Sequence, residues 1–132
     1  MHKKRVFETK TFDRWVKKVI ADSLLCKAAL EIEQGIYEAD LGHGLCKKRI
    51  ALPGKGKSGS TRTLVAKRHK SAIFFIAGRE KSDAGSDFTE KEEEAAKVFA
   101  DMLQSVTTPK LNQMTTDGFL KEICNDKTDR TK

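Results

Sequence analysis

The sequence predicts an α+β domain in which a helical hairpin packs on an antiparallel sheet and a C-terminal helix follows. Apolar residues recur at helical spacing near the N-terminus, three segments between residues 45 and 78 have the pattern of strands, and a second helical pattern follows a capping signal near residue 89. A chain of 132 residues holds one modest core. We therefore expect a single domain over residues 1–124 and a disordered polar tail over 125–132.

The first elements are a strand and two helices. A short strand is expected over Arg5–Thr9, with Thr11 as the N-cap of the helix behind it. The apolar face of this helix consists of Phe12, Trp15, Val16, Val19 and Ile20. Asp22 is the expected cap of a second helix that Gly35 ends. Its apolar face consists of Leu24, Leu25, Ala28, Ala29 and Ile32.

The middle of the chain predicts a meander of three strands. Residues 41–44 have the composition of a loop. Residues 45–52 alternate, with Cys46, Ile50 and Leu52 on one face and with Lys47, Arg49 and Ala51 on the other. A basic, glycine-rich loop over 53–60 leads to strands over 62–68 and 72–78. Because residues 73–76 are apolar on both faces, and include Phe74 and Phe75, the last strand should be central.

A third helix is expected after residue 89. Thr89 and Glu92 form a capping box, and acidic residues fill the first turn, where the helix dipole favours them. The expected apolar stripe is Ala95, Ala96, Phe99, Met102 and Leu103. Residues 107–109 should end this helix. Residues 119–124 fit either a strand or a helical turn, so the expected order is β-α-α-β-β-β-α.

Positive charge is concentrated in the strand region. The net charge is +7, and residues 47–81 hold eleven Lys and Arg but one acid, Glu80. Cations without compensating acids repel one another, so this segment should attract a polyanion: nucleic acid first, then an acidic protein, and a membrane surface last. The basic residues expected on neighbouring strands and their ends are Lys47, Lys48, Arg49, Arg62, Lys67, Arg68, Arg79 and Lys81, and the loop adds Lys55 and Lys57.

Several site classes are excluded or disfavoured. The segment 56–58 matches the end of a phosphate-binding loop, but Ala51 occupies the first glycine position and a strand follows, so nucleotide binding is rejected. His43 and His69 are expected as surface residues, and no catalytic triad or metal cluster can be assembled. No apolar run reaches transmembrane length, and the basic N-terminus lacks the apolar stretch of a secretory signal.

The cysteines indicate a reducing compartment. Cys26, Cys46 and Cys124 are odd in number and far apart in sequence, which fits neither a disulfide framework nor a metal site. Reduced, buried thiols and a cytoplasmic location are therefore expected.

The segment KRIALPGKGKSG at 48–59, followed by Arg62-Thr63, closely resembles a stretch of a RelE/HigB-like toxin family. FFIAGREK at 74–81, the acidic third helix and GFLKEI at 118–123 continue the resemblance, which covers most of residues 5–124. It implies a microbial-RNase-like, RelE-like fold with a basic cleft on its sheet. It also implies a cytoplasmic toxin of a type II toxin–antitoxin system that cuts mRNA on the ribosome by attack of a 2′-hydroxyl on the adjacent phosphate.

The resemblance also implies site residues. Carried onto this sequence, the catalytic set is Lys48, Arg49, Arg62 and Arg79, with Lys48 and Arg49 as alternatives for one position and Lys81 as an alternative to Arg79. Further RNA contacts are expected at Lys47, Lys55, Lys57, Lys67, Arg68 and Lys81. Clustered cations stabilise a dianionic transition state, and a lysine whose pKa is lowered by cationic neighbours could act as general base without metal or cofactor. The tyrosine after the last strand of some members has no counterpart, because Tyr37 lies elsewhere.

Two alternatives stay open: a nucleic-acid-binding regulator without catalysis, and a toxin relative that inhibits gyrase. The expected partners are mRNA, the ribosome and a cognate acidic antitoxin, with operator DNA bound only through the antitoxin complex and no membrane. The antitoxin could lie across the basic strands and pair with Arg49, Arg62 and Arg79, or it could dock on the helices. The charge of residues 47–81 favours the first route.

Overall fold

The computed structural model describes residues 4–54, 60–80 and 87–124. The predicted tail and the predicted RNA contacts Lys55, Lys57 and Lys81 lie outside these ranges. In chain order the elements are β1 (Arg5–Thr9), α1 (Lys10–Val16), α2 (Asp22–Glu33), β2 (Ala39–Gly42), β3 (Leu45–Ala51), β4 (Ser60–Ala66), β5 (Ala72–Glu80), α3 (Glu90–Gln104), α4 (Thr108–Thr116) and β6 (Leu120–Ile123). The α+β class is confirmed.

The six strands form one mixed sheet in the order β2-β3-β4-β5-β1-β6. Strands β2 to β5 are the antiparallel meander, but β1 runs parallel to β5 and antiparallel to β6. The expectation of a purely antiparallel sheet is therefore wrong. Short turns join neighbouring antiparallel strands, whereas β1 and β5 are far apart in sequence and are free to pair in parallel. As predicted, β5 is central.

The sheet separates two apolar cores. One face is covered by α1 and α2 and includes Phe12, Leu25, Ile32, Cys46, Ile50, Val65, Ile73 and Phe75. The other is covered by α3 and α4 and includes Phe7, Leu45, Leu64, Phe74, Ala96, Ala100, Leu103 and Leu111. Phe74 and Phe75 are both fully buried, on opposite faces. Strand β5 thus contributes to both cores, which explains its continuous apolar run.

The helical hairpin is present with different caps. The hydroxyl of Thr9, not Thr11, accepts from the backbone N–H of Phe12 at 3.2 Å, because the last strand residue already has the extended backbone of an N-cap. Helix α1 ends at Val16, and Ala21 rather than Asp22 is the N-cap of α2, without a side-chain bond. Gly35 ends α2 as predicted: its φ is +85° and the N–H of Ile36 returns to the carbonyl of Glu31 at 2.8 Å.

The C-terminal part contains one helix more than predicted. The capping box of Thr89 and Glu92 is confirmed. Helix α3 ends earlier than predicted, at Gln104 with Ser105 as its C-cap. Residues 107–109 instead begin α4, where the Thr107 hydroxyl accepts from the N–H of Lys110 at 3.3 Å. The expected burial of Ala95 and Met102 is wrong: both are exposed, and Ala100 takes part in the core instead. Residues 120–123 are a strand.

Two further local predictions fail. Residues 41 and 42 belong to edge strand β2, and the turn to β3 is confined to His43 and Gly44. His69 is 5% exposed rather than a surface residue. Its Nδ1 accepts from the N–H of Ser71 at 3.0 Å, so Nε2 donates to the carbonyl of Val106 at 2.9 Å. This neutral histidine joins the β4–β5 turn to the end of α3. His43 is exposed, as expected.

A disulfide joins Cys26 of α2 to Cys124 after β6, with 5.6 Å between their Cα atoms. The expectation of three reduced thiols is therefore wrong for two of them. Sequence spacing gave no sign of the pair, because β6 reaches α2 only by pairing beside β1. Cys46 is free and fully buried.

Candidate functional site

Three arginines lie side by side across the sheet. In the strand register Arg49 of β3 is opposite Arg62 of β4, and Arg62 is opposite Arg79 of β5. Directly opposed residues have Cβ atoms about 5 Å apart and point to the same face. Arg49 lies four residues after Leu45 and Arg62 two residues before Leu64, and both leucines belong to the core under α3 and α4. Residues an even number of positions apart on a strand share a face, so the three arginine side chains lie on the α3 face of the sheet. We call Arg49, Arg62 and Arg79 the arginine row.

Two buried threonines on the opposite face fix the register of the row. The hydroxyl of Thr61 donates to the carbonyl of Ile50, and that of Thr63 donates to the carbonyl of Lys48, both at 2.9 Å. Both threonines are fully buried. Since Arg62 lies between them, these bonds hold it opposite Arg49. A slip by one residue would place Arg62 on the wrong face.

Arg62 is the central member of the row, and one of its donors is unsatisfied. Its Nη1 is buried and has no hydrogen-bond partner among the described residues. A buried polar group without a partner costs about 1–3 kcal/mol, and more when it is charged. A phosphate oxygen bound at the row would accept from this nitrogen and remove that cost.

Acidic residues at the start of α3 reach the basic residues of the site. Arg79 Nη1 lies 3.4 Å from Glu92 Oε2. Lys47, two residues before Arg49 on the same face, places its Nζ 2.9 Å from Asp87 Oδ2 and 3.4 Å from Glu93 Oε2. The expectation that the basic strands lack compensating acids is therefore wrong. The acids lie outside residues 47–81 in sequence, and the fold brings them back.

These ion pairs decide the protonation of Lys47. Burial alone would lower its pKa, but the hydrogen bond and charge of Asp87, together with Glu93, outweigh burial and raise the pKa above its usual value. The pKa of Asp87 shifts in the opposite direction. Burial acts to raise this pKa, but the hydrogen bond with Lys47 outweighs burial and lowers it below its usual value. Lys47 is thus a firmly charged lysine. It does not fit the predicted general base with a lowered pKa.

Lys48 lies on the opposite face of the sheet from the arginine row. Its side chain is 4% exposed, and Nζ contacts Glu31 Oε1 at 2.8 Å and donates to the carbonyl of Ile36 at 3.0 Å. The ammonium is enclosed between β3 and α2. The structure therefore does not bring Lys48 together with Arg62, although the predicted catalytic set contains both residues.

Lys67 and Arg68 follow β4 at the end of the strand away from Arg62. Lys67 pairs with Asp40 at 3.2 Å and lies over the ring of Tyr37, while Arg68 is exposed and 3.9 Å from Asp101. Neither predicted RNA contact joins the row. Of the predicted residues within the described ranges, the structure assembles Lys47, Arg49, Arg62 and Arg79.

Sequence reasoning missed the acidic part of the site. Glu92 and Glu93 were expected only among the acids that the helix dipole favours, and Glu92 does serve the capping box. The signal that could have found the acidic residues is position: Glu92 and Glu93 lie in the first turn of the helix that follows the strand carrying Arg79, and Asp87 lies just before that helix. The described ranges contain no group of three or more His, Cys, Asp or Glu that could hold a metal ion.

The arrangement suits a phosphate. Three guanidiniums in a row present many N–H donors, and arginine keeps its charge at any physiological pH.

None of the helices in the described ranges is long and apolar enough to span a membrane.

The comparison with protein families is consistent with a toxin. A family model described as the RelE toxin of the RelE / RelB toxin-antitoxin system matches residues 4–123. No curated protein matches the chain. The family match extends from β1 to the end of β6 and includes every residue of the arginine row. The chain therefore belongs to the RelE family and is the toxin of a toxin–antitoxin system.

Proposed function

We propose that this RelE-family toxin is an endoribonuclease that cuts mRNA on the ribosome, and that the arginine row binds the phosphate at the cut. The observation that carries the proposal is the register Arg49–Arg62–Arg79, whose central residue has a buried nitrogen without a hydrogen-bond partner in the described ranges. A row of fixed guanidiniums stabilises charge that develops on a phosphate.

The chemistry is an attack by the ribose 2′-hydroxyl on the adjacent phosphorus. The 2′-oxygen loses its proton to a base and forms the new bond to phosphorus. The bond from phosphorus to the 5′-oxygen of the next nucleotide breaks, and that oxygen takes up a proton. The products are a 2′,3′-cyclic phosphate and a 5′-hydroxyl. The transition state carries an additional negative charge on the non-bridging oxygens, which Arg62 and its neighbours would hold.

The proton transfers require groups other than the arginines. A guanidinium stays protonated at neutral pH, so the row stabilises charge and does not take the proton of the 2′-hydroxyl. The carboxylates of Asp87, Glu92 and Glu93 form ion pairs with the basic residues of the site. The proposed role of the row is therefore electrostatic.

The test is cleavage of a defined mRNA by purified toxin with and without ribosomes, with the new 5′ ends mapped. We expect ends within codons when ribosomes translate the message. Intact message together with inhibition of gyrase supercoiling would contradict the proposal and favour a gyrase inhibitor. Intact message with tight RNA binding would favour a regulator without catalysis.

The proposed partner is an acidic antitoxin segment that lies across the arginine row. Such a segment would satisfy the same guanidiniums as RNA and would be steered by the same field. Operator DNA would then be bound through the antitoxin complex. Action on ribosomes would require the toxin to be in the cytoplasm.

A further inference from the structure

We propose that Glu92 is a positioning residue: it holds Arg79 in the arginine row and thereby sets the spacing on which cleavage depends. This inference rests on the proposed function. It adds a residue of α3 to a site otherwise built on three strands.

Glu92 is itself fixed by the helix that it begins. Its Oε1 accepts from the N–H of Thr89 at 2.8 Å, and its own N–H donates to the hydroxyl of Thr89 at 3.1 Å. The same carboxylate lies 3.4 Å from Nη1 of Arg79, whose side chain is 21% exposed. One carboxylate thus joins the start of α3 to a partly buried guanidinium of β5. A side chain held by a capping box has little freedom left to lose.

The segment before α3 is anchored in the core, so the contact has a firm base. Phe88 is nearly buried and packs in the second core. Its N–H donates to Asp87 Oδ1 at 2.7 Å, while Asp87 Oδ2 holds Lys47 at 2.9 Å. Two basic residues of the site are therefore tied, through Asp87 and Glu92, to one junction that apolar packing immobilises.

A carboxylate beside a phosphate site has two opposite effects. Its negative charge repels the phosphate and weakens RNA binding. Its bond to Arg79 keeps the guanidinium where the transition state needs it, since a small displacement of a catalytic group is costly. Removal of the charge should therefore lower KM and lower kcat together, which loss of folded protein alone does not produce.

The variant Glu92→Gln isolates this role. Glutamine at this position still completes a capping box, so α3 should start at the same residue. Glu94→Gln is the matched control: it removes the same charge from the first turns of the same helix, but Glu94 is largely exposed and pairs with Lys97 at 3.1 Å. A long-range effect of charge would appear in both variants.

The experiment measures initial rates of multiple-turnover cleavage over a range of concentrations of programmed ribosomes, and binding of a non-cleavable RNA with a 2′-deoxy nucleotide at the cut. We expect Glu92→Gln to lower kcat about tenfold and to lower KM with it, and Glu94→Gln to leave both within about twofold. In an Arg79→Met background, Glu92→Gln should have no further effect. An unchanged kcat, equal effects of the two glutamine variants, or an undiminished effect without Arg79 would overturn the inference.

The two proposals fail in different ways. If the wild-type protein cleaves RNA and Glu92→Gln cleaves it equally well, the inference fails and the nuclease proposal stands. If wild-type protein binds the non-cleavable RNA without cleaving, the nuclease proposal fails, and the coupling between Glu92 and Arg79 is read from binding. Non-additive changes in affinity then support the positioning role, and additive changes overturn it. Protein that neither binds nor cleaves RNA overturns both.

Discussion

The indole ring of Trp15 lies so close to Gly78 that a β-carbon at position 78 would overlap it. Trp15 belongs to α1 and Gly78 to β5, one residue before Arg79. The contact fixes α1 against β5 at the residue before Arg79, whose guanidinium lies on the opposite face of the sheet. Packing on one side of the sheet thus supports the chemistry proposed for the other.

Gly78→Ala should therefore destabilise the fold. The added methyl group forces the ring or the strand to move, and overpacking of this kind costs about 1–3 kcal/mol. Urea unfolding followed by the fluorescence of the single tryptophan measures it. Combination with Trp15→Leu, followed by circular dichroism, should cost less than the sum of the two changes. An unchanged midpoint for Gly78→Ala would contradict the contact.

Glu8 makes stability depend on pH. This carboxyl on β1 is 1% exposed, and no described donor reaches its oxygens. Burial, and then the neighbouring carboxyl group of Asp13, raise the pKa of Glu8 from 4.5 to about 8. Between these values the folded protein binds more protons than the unfolded chain. The contribution of Glu8 to the free energy of unfolding is therefore fully present below pH 4.5, and it is lost as the pH rises to about 8.

For one such group the free energy of unfolding should fall by at most about 1.4 kcal/mol per pH unit across that window. Glu8→Gln removes the titrating group, so it should flatten the dependence and stabilise the protein at pH 8. Denaturant unfolding from pH 5 to pH 8 measures both effects. The control Glu90→Gln changes an exposed carboxyl and should keep the wild-type slope. A wild-type curve that rises over this range would contradict the burial of an uncharged Glu8.

Arg62→Ala should abolish growth inhibition while the fold persists. Loss of the central guanidinium should cost on the order of 2–4 kcal/mol of transition-state stabilisation. Arg68→Ala is the control, because Arg68 follows the same strand, is exposed and lies away from the row. Growth after induction, with circular dichroism to verify folding, measures the effect. Equal toxicity of the two variants would refute the site.

Reduction of the disulfide should destabilise the protein. A cross-link over 98 residues restricts the unfolded chain, and loss of such a bond costs about 2–5 kcal/mol. Thiol titration gives a second measurement. Burial raises the pKa of Cys46 to about 12, so the oxidised, folded protein should show almost no reactive thiol. Two reactive thiols without reductant would contradict the bond.

Antitoxin binding should depend on the row. Arg49→Glu or Arg79→Glu reverses charge where an acidic segment is expected, and should slow association and weaken affinity. Glu93→Lys should not weaken binding, since it removes a negative charge near the same surface. Association rates by surface plasmon resonance compare the three. If Glu93→Lys alone were impaired, the antitoxin would dock on α3 instead.

Local patterns predicted the elements whose signals are local. The capping box at Thr89, the helix end at Gly35 and the alternation of Cys46 and Ile50 each depend on a few neighbouring residues, and each is confirmed. Strand β2 is short and half polar, and helix α4 is short, with a proline in its first turn. Neither carries a distinctive periodicity.

The site depends on pairing, which the sequence does not display. Each arginine of the row could be named from the family resemblance, but their alignment comes from the register of β3, β4 and β5. Lys48 differs from Arg49 by one position, and that step places it on the other face. The counter-charges of Glu92 and Glu93 come from a helix that returns over the sheet.

The bond between Cys26 and Cys124 makes most of the chain a covalent ring. Strands β2 to β5, and with them Arg49, Arg62 and Arg79, lie inside that ring. One proteolytic nick anywhere between the two cysteines opens the ring but leaves both fragments linked. On a non-reducing gel the nicked toxin would migrate as a single species. After a nick between Arg49 and Arg79, only a reductant would separate the fragment that carries Arg49 from the fragment that carries Arg79.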